Sequence, residues 1–133
     1  MHLSDSQIEE YDRSGYLLFP GLLDQEEAQL LKVTASVLCA RPGPEISTLP
    51  RLLNPVRQLL REDAYIHQSR LNPKEGFSGG AWNWHQDFGT WHREDGMPEP
   101  HCVMTAIFLD DSTAVNGPLL VLPGSQHHGI VNT

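Results

Sequence analysis

Only two cysteines occur in this chain of 133 residues, and Cys39 and Cys102 are too few and too far apart for a disulfide framework or a paired-thiol zinc motif. Both read as ordinary buried or half-buried thiols. Long apolar runs are also missing: none approaches the roughly eighteen residues of a membrane span. Residues 1–10 are polar and hold no apolar core of a secretory leader. Basic charge is scarce. Nine Lys and Arg stand against seventeen Asp and Glu, a net charge of -8, and the nine are scattered. Phosphate backbones are gripped by clustered cations, so a nucleic-acid partner is excluded. The expectation is a soluble cytoplasmic protein with no membrane partner. At 39% hydrophobic content, one globular domain fits the composition.

The chain divides into a helical front, 1–62, and a strand-rich back, 63–133. Ser4 and Asp5 open a short helix that stops near Ser14 and Gly15, and residues 16–19 then read as a strand closed by Pro20 and Gly21. Asp24, with Glu27 three residues later, forms a capping-box signature. It predicts a helix to about Ala40 with Ala28, Leu31, Ala35 and Leu38 as an apolar packing stripe. Residues 41–44, Arg-Pro-Gly-Pro, break the chain. Pro55 limits any helix within 49–60 to Val56 onward, or kinks it.

From Ala64 the apolar period changes to two. In 65–72, Ile66, Gln68, Arg70 and Asn72 share one face and Tyr65, His67, Ser69 and Leu71 the other. In 81–88, Asn83, His85 and Asp87 share a face opposite Trp82, Trp84, Gln86 and Phe88, and Trp82 and Trp84 are expected in the core. Residues 103–109 and 119–122 read as two further strands, the last opened by Pro118. Short strands separated by Gly and Pro turns predict an antiparallel double-sheet jelly roll of the cupin-like type, mainly β with N-terminal helices. His85 and Asp87, two residues apart on a strand, point to one side. That pair is two-thirds of the two-His, one-carboxylate set that holds non-haem Fe(II) and leaves positions open for O2 and a co-substrate.

The strings 65–74 (YIHQSRLNPK), 84–88 (WHQDF), 90–92 (TWH), 94–98 (EDGMP) and 116–119 (NGPL) resemble the phytanoyl-CoA dioxygenase superfamily, especially its branch of ectoine hydroxylases and free amino-acid hydroxylases. The resemblance runs from about Tyr65 to the C-terminus, with a weaker stretch over 11–31. It implies a jelly roll, incomplete at the C-terminus here, in a single partial domain over 1–133. It also implies an Fe(II)- and 2-oxoglutarate-dependent dioxygenase that uses O2 to hydroxylate a small amino-acid-like metabolite. By the same resemblance His85 and Asp87 are iron ligands, Lys74 pairs with a 2-oxoglutarate carboxylate, and Gln68 and Trp91 meet the substrate. Arg70, on the polar face with Gln68, suits a charged small substrate better than an acyl-CoA chain.

Each residue also has a plainer reading. His85 with Asp87 reads as a hydrogen-bonded surface pair, Lys74 as a solvated loop lysine, and Gln68 with Arg70 as pairing on an exposed face. His92, His101, His127 and His128 read as surface histidines. The family's second His ligand lies many tens of residues beyond the His-x-Asp, whereas this sequence ends at Thr133, and the connection between Ala40 and Leu52 is shorter than the family's. Ectoine hydroxylases usually carry an acidic residue where this chain has Gly89. A second expectation therefore stands beside the enzyme: a catalytically dead remnant that binds a metabolite or self-associates through open sheet edges. A structural zinc domain is a third.

Overall fold

The computed structural model describes residues 1–38, 44–73 and 80–131, with side chains in 36–38 and 44–45 left aside. Helix α1, Asp5–Ser14, begins as its sequence requires. The Ser4 side chain accepts from the Gln7 N–H and the Gln7 side chain accepts from the Ser4 N–H, a reciprocal capping box. It ends at Gly15, whose φ of 82° is left-handed and whose N–H donates to the Tyr11 carbonyl at 2.7 Å.

Helix α2, Gln25–Leu38, is opened by the expected Asp24 and Glu27 box. The Asp24 N–H donates to Glu27 at 3.0 Å, and the Glu27 N–H donates to Asp24 Oδ1 at 2.8 Å. Ala28, Leu31 and Ala35 of the predicted stripe are half-buried; the Leu38 side chain lies outside the described set. A short helix α3, Pro44–Ser47, packs on α4, Pro50–Leu60.

Helix α4 sets aside the first of the two readings of residues 49–60. It starts at Pro50 and runs through Pro55 rather than beginning after it. Pro50 sits at the first helical position, where the missing N–H is no loss. Pro55 leaves the Arg51 carbonyl without its intrahelical donor, but it is buried one turn from Leu52, and burial of that face compensates. With Pro55, Leu3 and Leu52 are the buried apolar side chains among those described, the two leucines at 6% and 7% exposure. Leu3 is clamped by a side-chain amide on α4: its N–H donates to Gln58 Oε1 at 2.6 Å, and Gln58 Nε2 donates back to its carbonyl at 3.2 Å.

The back half contains helix α5, Asp87–Glu94, and a 3-10 turn, Ser125–His128. No strand is formed among the described residues, so 16–19, 65–72, 81–86, 103–109 and 119–122 are irregular. A strand exists only with a ladder partner to satisfy its N–H and C=O groups, and alternation alone supplies none. Helix α5 overturns the strand reading at Asp87 and Phe88. Asp87 at its first position and His92 and Arg93 in its last turn complement the helix dipole, and Gly96, at φ 72°, follows its end. Trp82 and Trp84 are exposed at 61% and 58%, against the expectation of core positions, because no second layer covers them. The accessible surface is 10377 Å², whereas a closed domain of 14.9 kDa exposes about 7,000 Å². Among the described residues no helix is long and apolar enough to cross a membrane.

Long-range ties join front to back. The 3-10 turn docks on the C-terminus of α1: Gly124 N–H donates to the Ser14 carbonyl at 2.9 Å and Gln126 Nε2 to the Asp12 carbonyl at 3.1 Å. Lys32 on α2 pairs with Asp110. A Cβ at Gly15 would collide with the Gln126 amide and would also sit in the left-handed region. Gly15→Ala is therefore expected to lower stability by about 1–2 kcal/mol, read as a fall in the urea midpoint.

Arg51 ties α4 to the start of α2 through both Glu27 oxygens, at 2.5 and 2.9 Å. The Arg51 hydrogen bonds, and then the Asp24 N–H, hold the Glu27 carboxyl below its ordinary value. A carboxyl depressed in the folded state contributes stability above its unfolded pKa and loses it as pH falls through the folded value. Urea midpoints should thus drop as pH falls below about 5, and Glu27→Gln should flatten part of that dependence.

Candidate metal and substrate site

His85 and Asp87 do meet, by a route other than a strand. Gln86 between them is extended, at φ -114° and ψ 121°, and Asp87 is the first residue of α5, so the chain turns from extended to helical between the two donors. His85 Nδ1 lies 2.7 Å from the Asn83 carbonyl. A carbonyl only accepts, so Nδ1 carries a hydrogen and Nε2 is the nitrogen left to face Asp87. That Nε2 stands 3.4 Å from Asp87 Oδ1. A ring oriented by a backbone carbonyl, with its other nitrogen beside a carboxylate, is how proteins prepare a histidine for a metal. The donor set fits two ligands of a facial site. No group of three His, Cys, Asp or Glu able to hold a metal exists among the described residues, so His127 and His128 do not complete it.

The intervening Gln86 is not idle. Its Nε2 donates to the Gly129 carbonyl at 2.8 Å and its Oε1 accepts the Val131 N–H at 2.8 Å. Gly89, buried in α5, lies on the same side, where an added Cβ would meet Gln86 and Ile130 at 3.7 Å.

Around His85 the other expected residues form a continuous chain of contacts. The Trp82 ring centroid is 5.9 Å from that of His85, and the Arg70 guanidinium carbon lies 5.9 Å from the Trp82 centroid, a cation–π distance. Arg70 donates to Gln68 Oε1 at 2.5 Å, and Trp91 Nε1 donates to the same oxygen at 3.3 Å. Gln68, Arg70 and Trp91 thus come together, linked to His85 through Trp82. Lys74 lies outside the described residues.

Sequence reasoning missed the far end of this chain. His67 packs edge-on to Trp91 at 5.0 Å, and its Nε2 is 3.0 Å from Asp95 Oδ2. The two-residue period assigned His67 and Gln68 to opposite faces, yet Trp91 contacts both. The missed signal was α5 itself: Asp87 early, His92 and Arg93 late, and Phe88 stacked on His92 one turn on, at 5.5 Å. His101 pairs with Glu62 at 2.9 Å, and His92 Nδ1 donates to the Met97 carbonyl at 2.7 Å. Burial, and then the Asp87 charge, push the half-buried Cys102 thiol up, which keeps it unreactive.

A sequence profile of the phytanoyl-CoA dioxygenase (PhyH) family matches residues 32–131. The chain belongs to this family. It is 38% identical over 153 positions to an ectoine dioxygenase of Halomonas elongata, covering 93% of this chain and 46% of that protein. To an L-proline trans-4-hydroxylase of Streptomyces griseoviridis it is 52% identical over 94 positions, covering 71% of this chain and 34% of the relative. An ectoine dioxygenase of Bordetella bronchiseptica matches at 36% over 157 positions, with 96% and 51% covered. The chain therefore spans about a third to a half of the length of these curated relatives. Alignments of 153 and 157 positions exceed its 133 residues, so internal positions of each ectoine dioxygenase have no counterpart in it.

Gly89 is a direct test of the helix that carries Asp87. Its Cβ space is ordinary contact distance and its φ is not left-handed. Gly89→Ala should raise stability by about 0.5–1 kcal/mol through helix propensity, seen as a higher urea midpoint.

Proposed function

We propose that this chain is the N-terminal and central part of an Fe(II)- and 2-oxoglutarate-dependent dioxygenase that hydroxylates a small amino-acid-like metabolite. The observation that carries the reading is the His85 ring, locked by the Asn83 carbonyl with Nε2 turned to Asp87. Membership in the phytanoyl-CoA dioxygenase family supports it, and the names of the ectoine and proline relatives favour a compact zwitterionic substrate. His85 and Asp87 are the two iron donors of this part, and the third comes from a polypeptide beyond the described residues. The complete protein on this reading closes a double-stranded β-helix. Bound iron with 2-oxoglutarate supplies the oxidising equivalents from O2 that C–H hydroxylation needs.

The chain's own residues bind and orient. Asn83 fixes the His85 tautomer, and Asp87 presents a carboxylate from the first turn of α5. Lys74 is assigned to a 2-oxoglutarate carboxylate as a point charge. Arg70 and Gln68 meet the substrate's polar groups, with the indoles of Trp82 and Trp91 on either side of that pair.

A second reading follows from the large accessible surface and the consecutive exposed side chains of Leu119, Leu120, Val121 and Leu122. On it, the 133-residue chain is an interaction or metabolite-binding remnant that associates with another copy. Anaerobic addition of Fe(II) and 2-oxoglutarate separates the two. The visible charge-transfer band of a chelated 2-oxo acid should form and saturate, and should vanish in His85→Ala. A folded protein that gives no band, yet sediments as a dimer unaffected by His85→Ala, belongs to the second reading.

A further inference from the structure

We propose that Gln86 is a positioning residue whose side-chain amide locks residues 129–131 against the turn between His85 and Asp87 and so sets how those two donors meet. The inference rests on the metal-site reading above, and adds to it a residue that touches neither metal nor substrate.

Gln86 occupies the cap position of α5, where a polar side chain commonly folds back onto the helix N–H groups, yet it makes no such bond. Both ends of its amide are spent on one distant segment instead, donating to Gly129 and accepting from Val131, each at 2.8 Å. One donor and one acceptor used on residues i and i+2 of a neighbour reproduce what a strand's own peptide groups do in a ladder. The segment held this way is anchored at its other side, since Gly124 and Gln126 bond the Ser14 and Asp12 carbonyls at the end of α1. Gly129 has φ 65° and ψ -153°, a conformation open to glycine, and this aims its carbonyl at the amide. The backbone of Gln86 is shared with both donors. Releasing its side chain frees the extended-to-helical turn on which the 3.4 Å approach of His85 Nε2 to Asp87 depends.

The test compares Gln86→Met, which keeps the side-chain length and loses the amide, with Gln58→Met, which removes the equivalent clamp on Leu3 far from the donors. Mn(II) alone is the probe, its binding to the 133-residue protein followed by loss of the free-ion paramagnetic resonance signal, alongside the NMR resonances of the His85 ring and the Val131 amide. Gln86→Met is expected to weaken Mn(II) binding by about tenfold, to shift the His85 ring resonances and to deprotect the Val131 amide. Gln58→Met, assayed where it is folded, should lower stability and leave the affinity and the His85 resonances as they were. Gly129→Ala should repeat the Gln86→Met result from the opposite side of the bond. Unchanged His85 resonances in Gln86→Met, or equal losses in Gln58→Met, overturn the proposal. If the unsubstituted protein binds no Mn(II) while Gln86→Met still moves the His85 ring, the metal reading fails and the positioning role stands.

Discussion

Pairing of a glutamine amide with main-chain groups is the interaction on which the rest of this structure depends. Gln58 closes a two-bond clamp on Leu3, Gln86 closes one on Gly129 and Val131, and Gln126 covers the Asp12 carbonyl at the end of α1. A primary amide carries a donor and an acceptor on one carbon, so it can complete a peptide group that has no strand beside it. Each such bond is worth only about 0.5–1.5 kcal/mol net. They matter here because few apolar side chains are buried to hold these segments otherwise. Among the described residues, Leu3, Leu52 and Pro55 are the buried apolar side chains, and no closed core forms.

The same scarcity shapes the site. The pair His85 and Asp87 stands on a turn rather than in a sheet, so its geometry rests on short local bonds: Asn83 to His85, the start of α5 at Asp87, and the amide between them. Outward from His85 the contacts continue through aromatic and charged side chains, Trp82, Arg70, Gln68, Trp91 and His67, to Asp95. Most of these side chains remain open to solvent, and water weakens each charged contact. An enclosed pocket would require a further layer over Trp82 and Trp84. The family relatives, two to three times as long as the matched portions, have the chain length for such a layer.

Much of the front half was legible from local chemistry. The caps of α1 and α2 lie within four residues of the bonds they make, so Ser4 with Gln7, Gly15, and Asp24 with Glu27 could be read directly. Pro55 left a helix start at Val56 open because a proline's local penalty says nothing of the face it buries. The back half was less legible. Alternation over 81–88 and 65–72 encodes which side chains would share a face if a partner strand were present, and none is paired among the described residues. The pair His85 and Asp87 does come together, though on a turn into α5 rather than on a strand, while His67 and Asp95 went unseen because 28 residues separate them.

By itself the sequence determined the family, through short motifs of characteristic residue types and spacing, and it determined the helix starts, whose signals are local. Only the tertiary structure decided that Asp87 opens a helix, that Gln86 reaches residues 129–131, and that Trp91 gathers His67 and Gln68. The physical reason is range. A cap or an αL glycine is a bargain struck between neighbours, whereas the direction of a side chain toward a residue 43 or 45 positions away exists only once the backbone between them has been placed.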